Sequence, residues 1–224
     1  MQYIRSTAVT ALQTLANRLQ SELGSGKRVL WLVSGGSNIG ITVQIMASLP
    51  SELTHALTIG LIDERYGEVG HTDSNWQALL QAGVDFKHAT AMPVLLLGHD
   101  RRSTTEHYAR TLMSMLNEAD ISIGLLGLGT DGHTAGILPL SPATQDSEAL
   151  VVDYASNPYE RITLSFAGLR RLDVAYLFAF GTEKSAVVRE LVESDQPLGE
   201  QPAQIIKHIH ESYVYNDEQE GVTT

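Results

Sequence analysis

Apolar residues recur at Ala8, Leu12, Leu15, Ala16, Leu19 and Leu23, the spacing of one helical face. The chain therefore opens on an amphipathic helix that stops at Gly24 and Gly26. The pattern then changes to short continuous apolar runs at residues 28–33, 57–62, 121–128 and 174–180, which read as strands buried on both faces. Residues 92–97 supply a further apolar stretch. Helical segments are predicted between these runs, over residues 39–49, from about Trp76, over 101–119 and from Gly181 to about Glu193. In the third of these Tyr108, Leu112, Met115 and Leu116 share one face. Strands alternating with helices predict an α/β fold, a mainly parallel, doubly wound, Rossmann-like sheet with helices on both faces. A single domain over residues 1–224 accommodates all of it, with 216–224, acidic and then small and polar, as a flexible tail.

Where the strands end, the chemistry begins. The run at 121–128 breaks into Gly127, Gly129 and Gly132, interleaved with Thr130, Asp131 and His133. Open α/β sheets bind their ligands beyond the carboxyl ends of such strands. The glycine spacing also fits a dinucleotide-binding fingerprint, with Asp153 about twenty residues on. That reading fails on context: the third glycine would have to open a helix, and Pro139 and Pro142 follow too soon. The strand at 28–33 ends in Ser34-Gly35-Gly36-Ser37-Asn38 before a helix, a turn whose free N–H groups suit an anion, with Ser37 able to cap the helix. The strand at 57–62 ends in Asp63-Glu64-Arg65, followed by His71-Thr72-Asp73-Ser74-Asn75. Arg65 offers a guanidinium fork to a phosphate, and Asp63 a carboxylate to hydroxyls or water. Arg161-Ile162-Thr163-Leu164 and Gly181-Thr182-Glu183-Lys184 complete the set. His71 has no metal-ligand spacing around it and reads as a loop-positioning residue; His55, His88, His99 and His107 are scattered singly and read as structural.

Composition narrows the field. No cysteine is present, which removes disulfides, thiolate metal sites and cysteine nucleophiles. The net charge of −11 argues against nucleic acid as a partner, though a few convergent donors can still hold an anionic small molecule. The first residues lack a signal-peptide core, and no run approaches the roughly 20 apolar residues of a membrane span, so a cytoplasmic setting is expected.

The sequence GLGTDGHTAGILP at 127–139 resembles the glycine-rich Asp-Gly-His signature of the 6-phosphogluconolactonases, within the larger group that includes the glucosamine-6-phosphate deaminases. DERYGEVGHTDSN at 63–75, the Ser-Gly-Gly-Ser turn, Arg-Ile-Thr-Leu and Gly-Thr-Glu-Lys follow the same family order, so the likeness runs from about residue 29 to 217. Two departures stand out. Asn38 and Ile39 replace the more usual Thr and Pro, leaving an amide as the donor, and the loop with Gly67 and Gly70 lacks the family's proline. The resemblance implies hydrolysis of 6-phospho-D-glucono-1,5-lactone in the oxidative pentose phosphate pathway, without metal or cofactor. It implies His133 as general base, Asp131 as its orienter or a sugar ligand, and Gly35, Gly36, Ser37, Asp63, Arg65, Arg161 and Lys184 as substrate-binding residues. The deaminases carry a glutamate five residues after the histidine, where this chain has Leu138, which cannot titrate. A non-catalytic sugar-phosphate sensor would be expected to add a basic DNA-binding segment, and the opening helix holds few cations. The expected partner is thus a phosphosugar lactone, with neither nucleic acid nor membrane, and the chain a monomer or weak homodimer.

Overall fold

The computed structural model describes residues 1–145 and 147–217. In chain order the elements are β1 (Gln2–Arg5), α1 (Ala8–Gly24), β2 (Val29–Val33), α2 (Asn38–Ser48), β3 (Leu57–Leu61), β4 (Asp63–Tyr66), α3 (Asn75–Gln81), β5 (Thr90–Met92), α4 (Arg101–Glu118) and β6 (Ile121–Gly127). There follow β7 (Val151–Ala155), β8 (Glu160–Leu164), α5 (Phe166–Arg170), β9 (Val174–Phe178), α6 (Ser185–Glu193) and β10 (Glu211–Asn216), with short 3-10 segments between some of them.

Seven strands form one sheet in the order β1-β10-β9-β6-β2-β3-β5, every neighbouring pair parallel. The central strands are apolar throughout because both faces are covered: β2 and β9 are buried at every position, and β6 at all but its last. From β2 the chain winds through β3 to β5, then returns to β6 and winds the other way through β9 to β10. Right-handed crossovers put helices of opposite winding on opposite faces. Accordingly α1 packs on α2 and α2 on α3, while the buried Tyr108 of α4 donates its hydroxyl to Leu61 O at 2.5 Å. The winding reverses between β2 and β6, so the crevice in which such sheets take ligands opens there.

The expected α/β architecture with a mainly parallel, doubly wound sheet is present. Missing from the sequence reading is a second, three-stranded antiparallel sheet, β4-β8-β7, which continues directly from β3 through Ile62. It carries Asp63, Arg65 and Arg161, which therefore sit on strands rather than in turns after parallel ones. No helix opens at Gly132, in keeping with rejection of the dinucleotide fingerprint. The tail assignment fails at its start: Asn216 is buried and ends β10, and the Asp217 carboxylate accepts from Gly181 N at 2.9 Å. Residues 218–224 lie outside the described residues. Among the described residues no helix is long and apolar enough to cross a membrane.

Candidate active site

At the carboxyl ends of β2 and β6 lies a cleft of about 280 Å³. Ser34, Gly35, Gly36 and Ser37 form one wall and Gly127, Leu128, Gly129, His133 and Ala135 another. Asp63, Arg65, Asn75, Arg161 and Lys184 close it.

The first wall is the β2–α2 turn. Gly36 has φ +61°, the left-handed conformation that glycine adopts freely. Gly35 is required for a different reason: a β-carbon there would fall 2.0 Å from the amide oxygen of Asn75. The turn can therefore pack directly against the start of α3. Ser37 precedes α2 but makes no side-chain capping bond, so the expected cap is absent and the hydroxyl is left to the cleft. Asn38 does not replace the family's threonine as a donor into the cleft. Its amide is buried without a partner, turned towards Gly127, where a β-carbon would lie 3.4 Å from Nδ2.

The second wall depends on Glu64, a fully buried carboxylate not singled out from sequence. Oε1 accepts from the backbone N–H of Arg65 and Asn75, both at 2.7 Å. Oε2 accepts from Ser74 Oγ at 2.8 Å and Trp76 N at 3.1 Å. This side chain ties β4 to the start of α3, and His71 closes the loop between them by donating from Nε2 to Arg65 O at 3.0 Å. His71 is thus the positioning residue expected. Asn75 Nδ2 donates to Asp63 O at 3.0 Å. Beside it the Asp63 carboxyl is pushed up by burial, with the charges of Arg161, Arg65 and His133 opposing.

A raised carboxyl value has a sign. From the ordinary value near 3.8 up to the raised folded one, stability falls as pH rises, because the folded state holds the proton more tightly. At neutral pH the Asp63 carboxyl therefore leaves the fold less stable than it is below the ordinary carboxyl value. Asp63→Asn should raise the melting temperature by about 2–4 °C at pH 7, the effect of roughly 1 kcal/mol in a chain of this size. The gain should shrink as pH falls, and turnover should drop with it. Calorimetry at two pH values checks this; an asparagine variant less stable at pH 7 would contradict it.

The third wall carries the imidazole. After β6 the chain turns on itself: Gly129 N donates to His133 O at 2.8 Å and Gly132 N to Gly129 O at 3.0 Å. From outside, Ala203 N donates to Gly132 O at 3.0 Å. Beyond the histidine, Thr134 Oγ1 donates to Gly127 O at 2.7 Å, Gly136 N to Thr163 Oγ1 at 3.0 Å and Tyr154 Oη to Gly136 O at 2.6 Å. Within this frame His133 Nδ1 lies 2.6 Å from Asp131 Oδ1. A carboxylate only accepts, so Nδ1 donates to Asp131 and Nε2 is the ring nitrogen left outside that bond. Asp131 does not line the cleft, so of its two expected roles the geometry supports orienting the ring. Burial raises the Asp131 carboxyl, but the His133 charge and its ring and backbone N–H groups outweigh that and leave it below the usual range. Gly129 makes the arrangement possible, since a β-carbon there would lie 2.0 Å from Nδ1.

Three cations complete the site. Arg65 and Arg161 are half-buried and face each other across β4 and β8. Lys184 follows Gly181, whose φ of +102° turns the chain out of β9. The cleft thus concentrates positive charge in an acidic protein. The other histidines are not isolated as they seemed: His55 stacks on His88 at 4.1 Å and His99 meets His107 edge-on at 6.4 Å, all four outside the cleft. Among the described residues no three His, Asp or Glu side chains are grouped to hold a metal ion.

A model of the family described as glucosamine-6-phosphate isomerases/6-phosphogluconolactonase matches residues 4–215. The GDH/6PGL endoplasmic bifunctional protein of Oryctolagus cuniculus is 33% identical over 168 residues, covering 68% of this chain and 20% of that protein. The chain likewise spans 25% of the length of the Homo sapiens protein of the same description. The 6-phosphogluconolactonase of Synechocystis sp. is 26% identical, covering 98% of this chain and 93% of that one. Among solved structures, a 6-phosphogluconolactonase from Shewanella baltica OS155 matches with a TM-score of 0.80 at 24% identity over 96% of each chain, a likeness of fold.

Proposed function

This chain belongs to the glucosamine-6-phosphate isomerase/6-phosphogluconolactonase family, and on that premise we propose that it hydrolyses 6-phospho-D-glucono-1,5-lactone to 6-phospho-D-gluconate. The observation that carries the reading is the Asp131-held imidazole on a cleft with three cations. The lactone's phosphate lies against the N–H groups at Gly35, Gly36 and Ser37, with Arg161, Lys184 and Arg65 supplying charge. Asp63 accepts from substrate hydroxyls. His133 Nε2 takes a proton from water as its oxygen bonds to C1, and backbone N–H groups of the glycine-rich turns hold the resulting oxyanion. The tetrahedral species collapses by breaking the bond from C1 to the ring oxygen, which receives the proton from His133. The product is the open-chain acid, which ionises. As an ester hydrolase of the oxidative pentose phosphate pathway, the protein would work in the cytoplasm as a monomer or weak homodimer, with neither nucleic acid nor membrane as partner.

Deamination of an amino sugar needs a further acid–base group for ring opening, and Leu138 offers none. Side-by-side assays separate the two reactions. Acid release from the lactone without ammonia release from glucosamine 6-phosphate is expected; ammonia release without lactone hydrolysis would overturn the assignment.

A further inference from the structure

The two arginines of the cleft share one aromatic ring. The β4–β8 register sets Arg65 directly opposite Arg161, an arrangement in which like charges repel. Tyr159, in the turn between β7 and β8, lies beside both. Its ring centroid is 4.9 Å from Cζ of Arg65 and 5.6 Å from Cζ of Arg161, separations at which a guanidinium is drawn to a ring face.

The surroundings hold the turn that carries the ring and both guanidinium heads. Ser156 N donates to Tyr159 O at 2.7 Å, and Ser156 Oγ donates to the same carbonyl at 2.8 Å. That hydroxyl also accepts from Arg161 Nε at 3.0 Å, so one serine sets the turn and one guanidinium together. Arg65 Nη1 donates to Asp73 O at 3.0 Å, while its Nε is buried without a partner. Tyr159 itself is not part of the cleft lining.

We propose that Tyr159 is a positioning residue for anion binding: its ring holds Arg65 and Arg161 side by side on the cleft and offsets their repulsion before a ligand arrives. The identity of the anion as a sugar phosphate rests on the lactonase reading above; the role of the ring does not. What matters is the negative face of the ring, not its hydroxyl or its bulk.

Three substitutions separate these properties. Tyr159→Phe keeps the face and removes the hydroxyl, whereas Tyr159→Leu and Tyr159→Met keep apolar bulk and remove the face. Titration with inorganic phosphate and with 6-phosphogluconate gives the dissociation constants, and lactone kinetics give KM and kcat. The phenylalanine variant should match wild type. The leucine and methionine variants should weaken both ligands and raise KM by about tenfold, with kcat changed less than about twofold. Turnover of unphosphorylated glucono-1,5-lactone, where it is measurable, should not change. Either apolar variant, folded and binding phosphate as wild type does, would overturn the proposal, as would a phenylalanine variant as weak as leucine. Should wild type fail to hydrolyse the lactone, the lactonase reading falls while the phosphate titrations still decide the role of the ring.

Discussion

His133→Ala should lower kcat by about 10³-fold, within the span that a positioned general acid–base group contributes, while 6-phosphogluconate binds nearly as before. The split follows from geometry. The imidazole is carried by the loop after β6, whereas Arg65, Arg161, Lys184 and the Ser34–Ser37 turn are held by other elements. Asp131→Asn should also lower kcat with little change in binding, because an amide can donate to Nδ1 and so fix the wrong tautomer. Stopped-flow proton release gives the rates and calorimetry the product affinity. Lost binding with retained turnover would remove His133 from the general-base role.

Glu64→Ala should destabilise the fold by about 3–5 kcal/mol, a loss of roughly 10 °C in melting temperature. Burial holds the Glu64 carboxyl above its ordinary value, opposed by the bonds from Trp76, Asn75, Ser74 and Arg65. The charge itself is therefore unfavourable there, yet removing the side chain is worse. Four donors lose their acceptor inside the protein, and an unmet buried donor costs its full desolvation. Glu64→Gln should fall between, because one amide end cannot accept the two N–H or O–H groups aimed at each carboxylate oxygen. The loss should reach activity too, since the start of α3 carries Asn75 against Gly35. Thermal unfolding of the three proteins ranks them; an alanine variant as stable as wild type would show that these four bonds contribute nothing.

These two residues also mark how much could be read from the sequence. His133 stood out because a buried apolar run stops in glycines just before it, and the central parallel strands were visible for the same reason: burial on both faces writes a continuous apolar signature. The antiparallel sheet writes none. β7 reads VVDYA with mixed burial, β1 is a four-residue edge strand, and α5 has only five residues, too short for helical periodicity to register. Arg161 was recognised as a site residue, but its route there, across a hairpin opposite Arg65, depends on pairing between distant segments. Glu64 carries no signal of its own within Asp63-Glu64-Arg65, because burial of a carboxylate is decided by donors that arrive ten to twelve residues later. The tail failed for a similar reason: Asn216 and Asp217 are polar, but they bond to backbone groups after β9.

The proposed function is that this cleft speeds attack of water on a phosphorylated lactone. Its most direct test is the initial rate of proton release from freshly generated 6-phospho-D-glucono-1,5-lactone, set against spontaneous hydrolysis at the same pH. A rate above background, proportional to enzyme and reduced to background by His133→Ala, is the predicted result. A rate equal to background at enzyme concentrations that bind 6-phosphogluconate would contradict the account and leave a cleft that binds phosphosugars without hydrolysing them.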